Sequence, residues 1–191
     1  MNDNISEHSL LELSKSGDKE AFGMIVKLYM KRAYFSALAL THSEDDALDL
    51  SQEAFVRAYR AMRNFKPEMK FFTWYYRILK NLFLNWKRDR AKFVNDYNDY
   101  NEEKENLIEL IEDDTHQPEI EYDRLELNNI LWNEINSLDS QKREIIILKD
   151  FQDYSYQEIA DMLEIPVGTV MSRLYNARKK LKDRMKVYIY E

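Results

Sequence analysis

The apolar residues of this chain recur at helical spacing almost everywhere. Phe22, Ile25, Val26, Tyr29, Ala33 and Leu40 share one side of a helix, which predicts one over residues 19–40. A shorter amphipathic stretch precedes it at 5–15. Gly17 breaks that stretch, and Asp18 is placed to cap the helix that follows. Ser43 with an acid three residues on, Asp46, has the form of a capping box. It opens a helix to about residue 62, with Ala47, Leu50, Ala54, Ala58 and Ala61 on one side. Residues 64–70, with Pro67, read as a loop, and 71–92 as a fourth helix. Further helices are expected at 119–137, 140–150, 155–163 and 167–187. Strand-type alternation is absent, and three Gly and three Pro leave few breakers. The predicted fold class is all-α.

Residues 95–118 interrupt the pattern with repeated Asn, Asp and Tyr and then a run of acids. Such a composition buries too little apolar surface to compensate for ordering. The stretch reads as a flexible acidic linker between two small helical domains, 1–94 and 119–191. Within it Leu107, Ile108, Leu110 and Ile111 form a small apolar island, equally compatible with a short helix packed elsewhere.

Charge changes the picture. The net charge of −7 argues against nucleic acid, but the distribution does not. Residues 62–92 hold nine Lys and Arg against Glu68 and Asp89, and residues 170–186 hold seven against Asp183. Between them, 95–126 carry thirteen acids against Lys104 and Arg124. The overall sum hides two positive patches.

Each patch falls on a helix with a second signal. Ser155 and Glu158 form a capping box at the start of a short helix, Pro166 punctuates, and a basic helix follows: a helix-turn-helix pattern. At roughly 100° per residue, Val170, Leu174, Ala177, Leu181 and Met185 face the core. The opposite face carries Gly168, Ser172, Tyr175, Asn176 and Lys179, flanked by Met171, Arg173 and Arg178, as a helix reading the major groove would. A solvated basic helix would show the same spacing. In the other patch Phe71, Phe72, Trp74, Tyr75 and Tyr76 put five rings in six positions. Phe71, Tyr75, Leu79 and Leu82 have core spacing. Phe72 and Tyr76, with Trp74 either way, are candidates for stacking unpaired bases beside Arg77 and Lys80.

Several chemistries are excluded. Without Cys there is no disulfide, thiolate zinc site or thiol nucleophile. His8, His42 and His116 lack ligand spacing, so no metal is expected. Gly17, Gly23 and Gly168 are isolated and cannot cradle phosphate. Glu112, Asp113 and Asp114 read as solvated linker rather than metal ligands of a hydrolase. No enzyme activity and no cofactor are expected. The first residues are polar, and no apolar run approaches the ~20 residues that span a bilayer, so a cytoplasmic protein without membrane insertion is expected.

At this point the motifs resemble a family. Residues 49–55 (DLSQEAF), 71–81 (FFTWYYRILKN), 154–160 (YSYQEIA), 165–170 (IPVGTV), 172–174 (SRL) and 177–181 (ARKKL) are similar, in order, to those of the extracytoplasmic-function sigma factors of bacterial RNA polymerase. The resemblance covers nearly all of both domains. It implies a first domain that binds the clamp helices of core polymerase through Asp49, Gln52, Glu53 and Phe55. The same domain would melt and read the −10 element through Lys66, Lys70, Phe72, Trp74, Tyr76, Arg77, Lys80, Asn81 and Arg88. It implies a second domain that meets the flap and reads the −35 duplex through Thr169, Met171, Ser172, Arg173, Tyr175, Asn176, Arg178 and Lys179. The acidic linker would thread through the polymerase, and an anti-sigma factor would control the whole. The family often has Arg where this chain has Met171 and Asn176. A stand-alone helix-turn-helix regulator is the other reading; it needs neither the 49–55 motif nor the aromatic-basic helix.

Overall fold

The computed structural model describes residues 6–94 and 118–189. The predicted acidic linker, its apolar island and the acids 112–114 lie outside the described residues, except Pro118. All regular structure among the described residues is helical: α1 (Glu7–Lys15), α2 (Lys19–Thr41), α3 (Glu44–Ala61), α4 (Phe71–Val94), α5 (Pro118–Asn136), α6 (Ser140–Ile146), α7 (Tyr156–Leu163) and α8 (Val167–Ile189). A single 3-10 turn, Met62–Asn64, follows α3.

Local chemistry sets the boundaries. Asp18 accepts from the N–H groups of Glu20 and Ala21 at 2.9 and 3.0 Å, satisfying donors that the first turn of α2 leaves open. Ser6, Ser43 and Asp139 cap α1, α3 and α6 in the same way. Ser155 and Glu158 cap each other reciprocally at the start of α7. Gly17 turns the chain between α1 and α2 at φ 100°, a conformation that costs a glycine little.

In the first half, α2 packs along α3, and α4 crosses both. Ala33, Ala37, Ala47, Ala54 and Ala58 are fully buried; their small side chains let the backbones approach. Phe71, Tyr75 and Leu79 fill the centre with no exposure, as their spacing predicts. Phe55 packs at a tilt against Tyr75, 4.4 Å between centroids, and Tyr75 donates to the Ser51 carbonyl at 2.9 Å.

In the second half, α8 lies against α5, α6 and α7. The expected single helix over 140–150 instead changes character after Ile146. A π-helical turn, Ile147–Phe151, follows, which turns Ile147 and Leu148 inward and leaves Asp150 facing α8. The helix-turn-helix is α7, a turn closed by Glu164 in the left-handed region at φ 55°, and α8.

The two halves are packed on each other: α4 against α7, and α2 against α6 and the π turn.

Candidate nucleic-acid interface

The rotation of α8 follows from its buried stripe. Val170, Leu174 and Ala177 have at most 2% exposure, and Met185 is buried beyond them; Leu181 packs half-buried against the same core. The opposite face is open. Tyr175 is 68% exposed and Met171 53%, and Ser172, Asn176 and Lys179 are exposed with them. Thr169 and Arg173 sit half-buried at its edges. Arg178 is exposed but already engaged: its Nε donates to Asp150 at 3.0 Å, and a second nitrogen donates to the other carboxylate oxygen. That bidentate pair raises the Arg178 pKa, against the opposing effect of partial burial. Asp150 of the π turn therefore holds the guanidinium in the chain alone, a placement that sequence periodicity could not reveal.

The aromatic-basic helix α4 is arranged differently. Phe72 and Tyr76, expected to be open for unpaired bases, are 2% and 1% exposed. Phe72 stacks on Tyr154 of the second half, 5.6 Å between centroids and 15° between planes. Tyr76 donates to Glu144 at 2.6 Å, and Lys80 donates to the same carboxylate oxygen at 2.7 Å. Burial, together with the Glu144 charge beside it, raises the Tyr76 pKa well above its ordinary value. Lys70 pairs with Glu158 at 2.7 Å. Burial would raise the Glu158 pKa, but hydrogen bonds from Lys70 and Ser155 outweigh it and hold the carboxyl at about 2. Arg77 donates to the Asp161 carbonyl at 2.9 Å and lies 3.4 Å from Glu164. Trp74 is half-buried, 5.2 Å from Phe65 and 5.9 Å from Phe71. Lys66, Asn81 and Arg88 are exposed.

On α3, Asp49 and Gln52 are exposed and Glu53 is half-exposed, with Glu53 paired to Arg57 at 2.8 Å. Phe55 is a core residue at 7% exposure and packs against Tyr75 in the chain alone. Leu48 and Val56, 48% and 42% exposed, complete the outer face instead. Sequence reasoning missed both, although they lie opposite the Ala47, Leu50, Ala54 and Ala58 stripe and could have been found from it.

No cluster of His, Cys, Asp and Glu able to hold a metal occurs among the described residues. Nor is any helix of the described residues long and apolar enough to cross a membrane.

An exposed recognition-type helix on one helical unit, and an aromatic-basic helix on another, define a two-unit, all-helical DNA-binding protein. The comparisons with known proteins narrow that class. Residues 25–93 match region 2 of the sigma-70 family, and residues 128–181 match its region 4. The chain is 30% identical over 186 residues to the ECF RNA polymerase sigma-E factor of Haemophilus influenzae, covering 97% of this chain and 98% of that one. It is 33% identical over 173 residues to the ECF RNA polymerase sigma factor SigW of Bacillus subtilis, covering 90% and 92%. Its fold is similar to that of the sigma factor RpoE of Bartonella quintana, solved in complex with the anti-sigma factor NepR. The TM-score is 0.71 at 24% identity, covering 87% of this chain and 97% of that one. The chain belongs to the extracytoplasmic-function sigma factors of RNA polymerase. It is a sigma factor directing transcription.

Proposed function

We propose that the chain divides this work between its halves: residues 1–94 bind the polymerase clamp and open the −10 element, and residues 119–191 read the −35 duplex, with 95–118 as the connecting linker. The observation that carries the reading is the outer face of α8. Ser172, Tyr175, Asn176 and Lys179 are exposed over a stripe whose burial fixes the helix rotation. Asn176 and Ser172, one turn apart, hydrogen-bond base edges, and Lys179 holds phosphate. On α3, Asp49, Gln52 and Glu53 meet basic clamp groups, with Leu48 and Val56 adding apolar contact. On α4, Trp74, Phe72 and Tyr76 take the unstacked bases, while Lys66, Lys70, Arg77, Lys80, Asn81 and Arg88 follow the strand. The chain acts in the cytoplasm and carries no chemistry of its own. The partner of the Bartonella quintana RpoE in its complex favours an anti-sigma factor as a regulator here too.

Run-off transcription with core polymerase on a promoter library tests the reading. The expected result is core-dependent initiation from a shared pair of elements, lost in a Gln52→Ala, Glu53→Lys variant together with core binding. Duplex binding and repression without any core dependence would replace this reading with that of a stand-alone regulator.

A further inference from the structure

The outer face of α8 carries two ridges of different chemistry. At about 100° per residue, Met171 and Tyr175 lie one turn apart on one ridge, and Thr169, Ser172 and Asn176 lie on the other. The polar ridge has groups that can hydrogen-bond base edges. The apolar ridge has no partner within the chain. Met171 is 53% exposed and Tyr175 68%, neither packs against the core, and the Tyr175 hydroxyl makes no hydrogen bond among the described residues. A single exposed apolar side chain is ordinary. Two of them at i and i+4, with the exposed Lys179 and Lys180 just beyond, make a continuous apolar strip on a surface that faces DNA. Gly168 lies on the same side of the helix and is exposed. A Cβ there would meet nothing within 4 Å, and its φ is not positive. The fold has no need of a glycine at this position, and the missing side chain lets the start of α8 approach a partner closely.

In the major groove one group answers an apolar strip, the 5-methyl of thymine. The flexible thioether of Met adapts to it, and the Tyr ring offers a broad apolar face. Residues four apart are separated by about 6 Å along a helix, against about 3.4 Å per base step. The two side chains therefore reach methyl groups no more than about two steps apart. We propose that Met171 and Tyr175 read the methyl groups of two neighbouring thymines in the upstream duplex, so that this chain selects thymine where a guanidinium at the same helix position would select guanine. The proposal rests on the assignment of α8 to the −35 duplex. The polar ridge asks for the same kind of base pair. Ser172 donates to the Thr169 carbonyl at 3.1 Å, whereas the Asn176 amide makes no hydrogen bond within the chain. Bidentate reading on that ridge falls to Asn176, whose match is adenine.

The test uses the full chain assembled with core RNA polymerase, and a promoter pool randomised across the upstream element. The selected element should contain two thymines within about two steps of each other. Each thymine is then replaced by uracil, which removes the methyl and leaves every hydrogen-bonding group in place. Loss of one methyl contact should weaken binding roughly fourfold, the scale of one buried methylene. Met171→Ala should abolish the difference between thymine and uracil at one position, and Tyr175→Ala at the other. Both side chains are exposed, so neither truncation leaves a cavity. Met171→Arg should exchange the thymine at its position for guanine. Equal binding of thymine and uracil duplexes by the unsubstituted chain would overturn the proposal. So would a uracil penalty that survives both truncations, or a Met171→Arg chain that still selects thymine. An upstream preference that persists through those outcomes leaves α8 as the −35 helix and removes only methyl reading. The absence of any upstream preference removes the assignment of α8 and the proposal together.

Discussion

Helices α4 and α8 have similar composition and opposite circumstances. Both are more than twenty residues long, basic, and anchored by an apolar stripe. On α8 the stripe is narrow. Val170, Leu174, Ala177 and Met185 make up the buried arc, Thr169 and Arg173 are half-buried at its edges, and the opposite face is open. On α4 the apolar surface is wider than one neighbour can cover. Phe71, Tyr75 and Leu79 face α2 and α3, while Phe72, which also meets Tyr29 of α2, and Tyr76 turn toward the other half. The second face is capped by the other half of the chain. The difference teaches that a helix carrying rings all round keeps its neighbours by the same forces that would attract unpaired bases: stacking and pairing of cations with oxygen acceptors. A helix with one narrow stripe leaves its polar face free for duplex DNA.

The strongest way to break the comparison is to destroy the narrow stripe. Leu174→Ala should cost about 2–5 kcal/mol by leaving a cavity under α8. Urea unfolding should show the loss, and duplex binding should fall with it because the rotation of α8 is no longer defined.

On the outer face of α8 the expected effects split by kind. Asn176→Ala should change which upstream duplex is preferred, by about 1–3 kcal/mol of discrimination. Lys179→Ala should weaken all duplexes about equally and flatten the salt dependence. Selection from a randomised duplex pool, repeated at two salt concentrations, measures both. An unchanged preference for Asn176→Ala would leave shape and backbone contacts as the means of recognition.

On the covered face, Tyr76→Phe keeps the ring and deletes the donor to Glu144. The closed arrangement should weaken by about 1–3 kcal/mol, visible as a lengthened distance between labels on the two halves. The pH response sharpens the same point. The Glu158 carboxyl sits at about 2 in the folded chain, below the unfolded value of about 4.3. A lowered carboxylate contributes stability that is present above its unfolded value and is lost as pH falls through its folded one. The stability difference between the chain and its Glu158→Gln variant should therefore stay constant from pH 7 to about 5, then decline as pH approaches 2. Because Lys70 is largely exposed, its pair with Glu158 is screened and the difference should be small.

The smallest effect is expected at Arg178. Its side chain is half exposed and committed to Asp150, so Arg178→Ala should cost at most about 1 kcal/mol of stability. It should also reduce duplex affinity less than Lys179→Ala does. An equal or larger loss of affinity would mean that Arg178 leaves Asp150 for phosphate on binding.

Much of this was written in local pattern. Caps at Asp18, Ser43 and Ser155, Pro166 before α8, and the core spacing of Phe71, Tyr75, Val170 and Leu174 needed no tertiary information. Each depends on backbone hydrogen-bonding and on 3.6-residue periodicity, both of which act within a few residues. The outer face of α8 was legible for the same reason: one stripe in, the opposite side out. What the sequence could not decide was the fate of groups with two acceptable environments. Phe72 and Tyr76 can be buried or can stack on bases, Phe55 can touch a partner or Tyr75, and Arg178 can hold phosphate or Asp150. Those choices depend on residues far along the chain, such as Glu144 for Tyr76 and Tyr154 for Phe72. The deciding quantity is which buried charges and rings find partners when the two halves meet, and only the tertiary structure brings those partners within 3 Å of one another in the case of Tyr76, Lys80 and Glu144.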